Sequence, residues 1–520
     1  MRPQALRTTP GAAADDHGLV VLAPIPLDAR AARAGSAQAH VVHSGIGSRL
    51  SRRAAGRALR APGSAVAVTG VCMAIDPALE TGDLVLASEI RFPDGTVPIP
   101  AAGILAGVLR RAGIQVHVGP IVSGPHGIAL LRSKRAELRE SGAIAADTGS
   151  GWLAGGAGGR PFAVLRAVVR SGSNQLGRPL VAAASGARAH RALVEATWVL
   201  DRWAHAVAPR RVVLAAPRAS CAGVERAIEV VERALDRHGA PVYVRRQIVH
   251  NRHVVEELEE RGAVFVEELD EVPAGATTVL SAHGVAPAVR TTAAELDLDL
   301  IDATCPLVGK VHREARQFAD AGYTIVLVGH AGHDEVEGTL GHAPDRIRLV
   351  ASVEEAETVE VDDPERVAYL TQTTLAVDET RAVIDVLERR FPGLVGPRSD
   401  DICYATQNRQ DAVRSLAAMC DTVLVVGSPN SSNSNRLVEV VRRAGTPAYL
   451  IDDEEDIELS WLDGAHTVGL AAGASAPERL VQRVLSSLSG LGPLEVEENA
   501  VARETVRFGL PRELGVTRGD

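Results

Sequence analysis

The stretch RVVLAAPRASCAGVERAIEVVERAL, from Arg211 to Leu235, constrains the fold of this chain more than any other. Val212, Val213, Leu214 and Ala215 form an unbroken apolar run, the pattern of a parallel strand covered on both faces. After Gly223, the residues Val224, Ala227, Ile228, Val231 and Leu235 recur at helical spacing. Cys221 lies between the two, at a strand's mouth and facing the start of the next helix. Alpha/beta proteins bind ligands at such places, and thiolates are stabilised there. A packed core cysteine is the ordinary reading of any one such residue.

The arrangement recurs, which changes that reading. LDLIDATCPLVGKV ends a short apolar strand at Cys305, and DDICYATQNRQDAVRSL places Cys403 just before a segment with helical spacing. Three thiols therefore stand at the mouths of three α/β units. Zinc ribbons take their ligands from close C-x-x-C pairs, and the chain has none. Three units around one axis would bring the thiols to one cofactor. An iron–sulfur cluster is usually held by four thiolates, so three would leave one iron open to act as a Lewis acid and an electron conduit.

At 520 residues the chain exceeds one core, and roughly two to four domains are expected. A net charge of -10 argues against a general binder of phosphate backbones, and 3% aromatics against stacking platforms for single strands. No nucleic-acid partner is expected. The start, MRPQALRTTPGAAADDHG, has no apolar core of signal-peptide length, and no apolar run approaches the ~18 residues of a membrane span. A cytoplasmic protein with reduced thiols and no membrane partner is expected. Cys72 and Cys420 fall outside the strand-mouth pattern and read as structural.

Residues 1–17 read as a disordered tail, and 515–520 as a terminal tail. From residue 18 to 175, strand and helix signals alternate: strand-like GLVVLAPIPLDARAA, then VVHSGIGSRLSRRAAGRAL, then SAVAVTGVCMAIDPALETGDLVLASEI, then IQVHVGPIVSG. Within this region, VTGVCMAIDPALETGDLVLA resembles the phosphate- or purine-binding turn of the nucleoside phosphorylase and nucleosidase superfamily. That resemblance implies a ribose-gripping Glu in a DMES-like segment, where this chain has Asp147, Thr148, Gly149 and Ser150. It also implies a catalytic Asp after the strand RPFAVLRAVVRSGSNQ, where Ser171 or a neighbour stands instead. Without those carboxylates the domain is expected to be catalytically degenerate. Residues 176–209 read as a helical connector ending at Pro209.

From 210 to 514 a strand, turn and helix cadence suggests three α/β lobes. The turns carry His250, His283, His330, His333 and Glu335, and two of them end in Ser/Asn-rich helix starts: SPNSSNSN, with Ser431, Ser432 and Asn433, and GASAP, with Ser475. Any one of these is an ordinary cap or surface histidine. Together they suit an anion such as a diphosphate, with histidines adding switchable charge. HAGHDE is only a weak zinc hint, and a proton donor is the better role for Glu335, with Thr373 and Thr374 as relay or orienting hydroxyls. The tail VRFGLPREL suggests a last strand closing over the site.

In this order CAGVERAI, VVHNRHVV, SAHGV, DATCPLV, GHAGHDEVEGT, TQTTL, DDICYATQNRQ, NSSNSNRL and AGASAP resemble the 4-hydroxy-3-methylbut-2-enyl diphosphate reductase family (LytB type), across the whole region 210–514. The resemblance implies an oxidoreductase at the terminal step of the non-mevalonate isoprenoid pathway, with three α/β lobes around one central 4Fe-4S cluster. Its implied ligands are Cys221, Cys305 and Cys403. It places His250, His283, His333, Thr373, Thr374, Ser431, Ser432, Asn433 and Ser475 around the substrate, Glu335 as the acid, and Thr373 as its hydroxyl partner. The products implied are isopentenyl and dimethylallyl diphosphate, and the electrons come from an external one-electron donor such as ferredoxin or flavodoxin, since no flavin or nicotinamide fingerprint is present. One departure is visible: relatives commonly have Gly-Phe where this chain has Ala219 and Ser220. The alternatives are a cluster-dependent hydro-lyase or synthase, which would turn over without a donor, and a redox sensor, which would not need the acid, hydroxyl and diphosphate turns together.

Overall fold

Two turns of helix where a strand was expected illustrate how prolines punctuate this chain. The run GLVVLAPIPLDARAA is a strand only over β1 (Leu19–Ala23), and Pro26 opens a helix, Pro26–Gly35. Proline at a first helical position lacks only an N–H that would be unpaired there anyway. The computed structural model describes residues 18–124, 136–170 and 179–514. The expected tails at 1–17 and 515–520, the start of the expected connector, and Ser171 lie outside the described residues.

The chain forms two units. One comprises Met1–Arg210, Glu454–Gly464 and Val484–Leu494; the other comprises Arg211–Asp453, Ala465–Arg483 and Glu495–Asp520. The helices Pro179–Ala196 and Trp198–His205, within the expected connector, are thus part of the first unit.

In the first unit, β2 (His40–His43), β1, β3 (Ala65–Ala74), β7 (Ala145–Asp147), β6 (Val116–Ser123), β4 (Leu84–Phe92) and β5 (Gly95–Pro98) lie in that order. β8 (Phe162–Arg170) pairs with both β3 and β4, so β3, β7, β6, β4 and β8 close into a ring. Cys72 is buried in this unit's core.

The second unit has three parallel-stranded lobes. The first runs β11 (Ala263–Val266), β10 (Val242–Arg245), β12 (Thr277–Leu280), β13 (Asp299–Asp302); the second β15 (Ile347–Val350), β14 (Thr324–Val328), β16 (Val367–Thr371). The third runs β18 (Ala448–Ile451), β17 (Thr422–Val426), β19 (Thr467–Ala472), β9 (Arg210–Ala216), β20 (Leu494–Ala500). Where register is defined, the pairings within all three lobes are parallel.

The cysteines mark where the chain changes lobe. β9 belongs to the third lobe, but the helix after Cys221 (Ala222–His238) buries Ala227, Val230 and Val231 against Val244 and Val279 of the first. β13 belongs to the first lobe, and the helix after Cys305 (Pro306–Asp320) buries Val311 and Ala315 against Ile325 and Leu327 of the second. The helix after Cys403 (Tyr404–Ala417) buries Val413 and Leu416 against Val423 and Val213 of the third. Each cysteine is the residue immediately before its helix, and the Cys403 sulfur also accepts from the Thr406 N–H. A closed cycle of three such crossings turns all three helix starts towards one axis.

The expected closing strand does not form. Residues 506–514 are irregular, and the last strand is β20. Arg226 Nε donates to the Gly509 carbonyl at 2.7 Å and Arg237 to that of Glu513 at 2.8 Å. These backbone oxygens are satisfied by guanidinium groups rather than by a ladder.

Candidate active site

Cys221, Cys305 and Cys403 are free thiols lining one cavity, together with His250, His283, His333, Glu335, Thr373, Thr374, Ser431, Ser432, Asn433 and Ser475. Every site residue singled out in the three-lobed region except His330 therefore lies on a single wall-to-wall surface. His330 instead faces Arg436, 3.3 Å from its guanidinium.

The thiol end is built for close approach. A Cβ at Gly223 would stand 2.7 Å from the Cys305 sulfur and 3.8 Å from that of Cys221, so only glycine leaves this space. Burial pushes the Cys305 thiol up to about 12, and Cys221 and Cys403 nearby push the same way. Burial and Cys221 likewise push Cys403 up to about 11. Such thiols hold their protons until a cation displaces them, which is how metal binding couples to thiol ionisation. Thr406, not singled out from the sequence, donates through its backbone N–H to Cys403 Sγ at 3.4 Å, and its hydroxyl lies 3.1 Å away.

The turn before Cys221 carries a strained residue. Ala219 has φ of 61°, a left-handed conformation that costs an L-residue about 1–2 kcal/mol. Buried Arg409 grips its carbonyl through Nη2 at 2.6 Å and Nε at 3.1 Å, while Glu504 holds Arg409 at 2.9 Å. Alanine at this position thus holds the turn at the cost of strain. Ser220 Oγ donates to the Ala476 carbonyl at 3.3 Å.

Glu335, in the first turn of helix Asp334–Leu340, is buried. Thr373 donates to it twice, N–H to Oε1 at 2.7 Å and hydroxyl to Oε2 at 2.9 Å. Burial outweighs these bonds, and with Asp401 nearby raises its carboxyl to about 7. A carboxyl poised there gives and takes protons near neutrality.

His250 and His283 stack at 4.0 Å, and His333 meets both edge-on at 5.6 and 5.9 Å. Burial lowers all three, and repulsion among the rings deepens the shift for His283 and His333, the latter to about 4. In the ligand-free protein burial thus favours the neutral form of each ring, so the switchable charge expected of them is displaced below its ordinary pH range. Nδ1 of His250 and of His283 has no hydrogen-bond partner, and neither has the buried amide of Asn433. His250, His283 and Asp334 bring one ligand atom each within 4.8 Å, but Arg246 already pairs with Asp334.

The serine end sits at the start of helix Ser432–Arg443. Ser431 caps it, accepting from Ser434 N–H at 3.3 Å, and lies 3.3 Å from the Ser475 hydroxyl. Thr374 donates to Ser432 at 3.2 Å and accepts from Gln372 at 2.8 Å, so Gln372, missed in the sequence, orients the chain of hydroxyls. Exposed N–H groups and hydroxyls at a helix start suit a phosphate group.

In the first unit, Asp147 meets Arg166 in a buried ion pair at 2.7 Å and accepts from Ser123 at 2.6 Å. Although burial opposes ionisation, Arg166 and the Ser123 and Ser150 hydroxyls hold its carboxyl below the usual range. A Cβ at Gly149 would stand 2.7 Å from Ser51 Oγ. No helix among the described residues is long and apolar enough to cross a membrane.

The family model described as LytB protein matches residues 212–489. A 4-hydroxy-3-methylbut-2-enyl diphosphate reductase of Leifsonia xyli subsp. xyli is 60% identical over 306 residues, 59% of this chain and 91% of that protein. The solved structure of the E-1-hydroxy-2-methyl-but-2-enyl-4-diphosphate reductase from Plasmodium falciparum aligns with a TM-score of 0.57 and 35% identity, over 59% of this chain and 97% of that one. A putative 5'-methylthioadenosine/S-adenosylhomocysteine nucleosidase from Francisella philomiragia aligns over 36% of this chain and 99% of its own, at 15% identity. The TM-score of that alignment is 0.32.

Proposed function

The chain belongs to the LytB family of 4-hydroxy-3-methylbut-2-enyl diphosphate reductases, and from that premise we propose how its own residues divide the reaction. The chain is an oxidoreductase of the non-mevalonate isoprenoid pathway, acting at its terminal step. It removes the 4-hydroxyl of (E)-4-hydroxy-3-methylbut-2-enyl diphosphate with two electrons and two protons, releasing water and leaving isopentenyl or dimethylallyl diphosphate. The observation that carries the residue assignments is that three free thiols, a threonine-held carboxyl and a serine-capped helix start line one cavity.

Cys221, Cys305 and Cys403 would hold one 4Fe-4S cluster. The fit rests on three converging thiols and on the space that Gly223 leaves beside two of them. When bound, the cluster supplies single electrons and one iron without a cysteine ligand. At the far end, Ser431, Ser432, Asn433 and Ser475 bind the diphosphate with the helix start behind them. His250 and His283 offer their unpartnered Nδ1 atoms, and His333 closes the same wall. Glu335 gives its proton to the departing hydroxyl oxygen, and Thr373, donating to both carboxyl oxygens, fixes the orientation of the group. Thr374 orients the substrate hydroxyl. The second proton goes to either end of the allylic carbons, which decides the product. Electrons come one at a time from an external carrier protein such as ferredoxin or flavodoxin. The first unit we read as a catalytically degenerate phosphorylase-like domain, since Gly149 abuts Ser51 and Asp147 is spent on Arg166.

The test is turnover of the substrate by anaerobically purified protein with reduced methyl viologen, with iron measured on the same sample. Both C5 diphosphates and about four irons per chain are expected. Iron without either product would overturn the reductase assignment of these residues.

A further inference from the structure

We infer that the carboxy-terminal strap, residues 501–514, is the docking surface for a small acidic iron–sulfur carrier protein that delivers the electrons. The inference rests on the reductase reading of the cavity.

The strap touches the surroundings of all three cysteine turns. Val501 N–H donates to the Ala216 carbonyl, ahead of the Cys221 turn, at 2.9 Å. Glu504 pairs with Arg409 of the Cys403 helix, whose guanidinium holds the Ala219 carbonyl. Arg226 takes the Gly509 carbonyl and, at 3.1 Å, those of Ala303 and Thr304, beside Cys305. Leu510 and Leu514 anchor its end in the first lobe's core. The strap is therefore hydrogen-bonded, directly or through Arg226 and Arg409, to backbone within one to five residues of Cys221 and Cys305 and to the helix that Cys403 starts. Tyr404, next to Cys403, is half-buried at the start of the helix whose Arg409 holds Glu504 of the strap.

The outer side of the strap is basic and partly apolar. Arg503, Arg507 and Arg512 are exposed, and none makes an ion pair among the described residues. Acids outnumber bases in this chain by ten, 65 to 55, so three unpaired arginines within ten positions are a local reversal of its charge. Val501 and Val506 are each 41% exposed among them. The strap's own acids leave the reversal standing, since Glu504 is neutralised by Arg409 and only Glu513 is exposed. A basic rim with apolar contacts above a short electron path fits an acidic protein carrier, which the potential would steer and orient.

The full-length enzyme and its Arg503→Glu/Arg507→Glu/Arg512→Glu variant are compared with two donors, a reduced acidic 2Fe-2S ferredoxin and reduced methyl viologen, across ionic strength. Wild-type kcat/KM for the ferredoxin should fall as salt rises. In the variant it should be lower by about tenfold or more and nearly independent of salt, with methyl viologen turnover unchanged. The triple alanine variant, which cannot repel the carrier, should fall between the two. Equal ferredoxin kinetics in all three proteins, or equal losses with both donors, would overturn the docking surface. Absence of methyl viologen turnover in the wild type would overturn the reductase reading, and the docking surface with it.

Discussion

At the scale of single residues, the carboxyl of Glu335 decides the pH behaviour. Burial lifts it to about 7, so it keeps its proton at pH 6 and loses it as pH rises through 7. kcat should therefore decline on the alkaline side with an apparent pKa near 7, and a flat profile from pH 6 to 8 would remove Glu335 as the donor. Glu335→Gln keeps the shape and both Thr373 contacts in reach but carries no acid proton. It should lose about 10²-fold or more in kcat while retaining iron. The histidines move the other way. Neutral in the free protein, they gain protons when a diphosphate brings negative charge among them, since an adjacent opposite charge favours the charged form. Calorimetry of substrate binding at pH 6 in two buffers of different ionisation enthalpy should show proton uptake, and affinity should weaken as pH rises towards 8. Equal heats in both buffers would mean that the rings contact the diphosphate without charging.

At the scale of elements, the turn and helix start after each strand are where sequence and structure agreed best. The apolar run of β9, the position of Cys221 and the spacing of Val224, Ala227 and Val231 were all readable because burial imposes its period on them. What could not be read was that β9 and the helix after it serve different lobes, because a buried face looks alike whichever sheet covers it. The last strand was misread for a related reason. Val506, Phe508 and Leu510 alternate as a strand would, yet the carbonyls of Gly509 and Glu513 in the same segment are taken by the distant Arg226 and Arg237. The role of Gly223 is not legible in CAGVERAI, since closeness to the Cys305 sulfur is a tertiary fact. Gly223→Ala places a methyl group in the thiol space. The variant should fold, as alanine is the better helix former, but bind much less iron, read by absorbance and iron assay. Full iron content would show that the sulfurs reach the cluster without that gap.

At the scale of the whole molecule, the two units are not consecutive segments of chain. Glu454–Gly464 and Val484–Leu494 lie within the region that sequence motifs assign to the reductase, yet they pack with the first 210 residues. Nothing in their composition signals this, because the leucines Leu459, Leu462, Leu488 and Leu491 would suit the core of either unit. The contact is legible only in side chains that cross it. Trp203 Nε1 donates to the Gly490 carbonyl at 3.0 Å, and Arg111 to that of Ile457 at 2.9 Å. Gly107 in helix Ala102–Arg111 passes so close to Glu455 that a Cβ would stand 1.7 Å from its carbonyl oxygen. Backbone cannot yield as the tip of a side chain does, so Gly107→Val must push the two apart. It should cost about 1–3 kcal/mol and lower the first thermal transition, while the thiol cavity, built wholly from the other unit, keeps its iron and its turnover below that temperature. An unchanged melting profile would mean that the excursions are held elsewhere. A loss of turnover without loss of iron would mean that the first unit acts on the reaction itself.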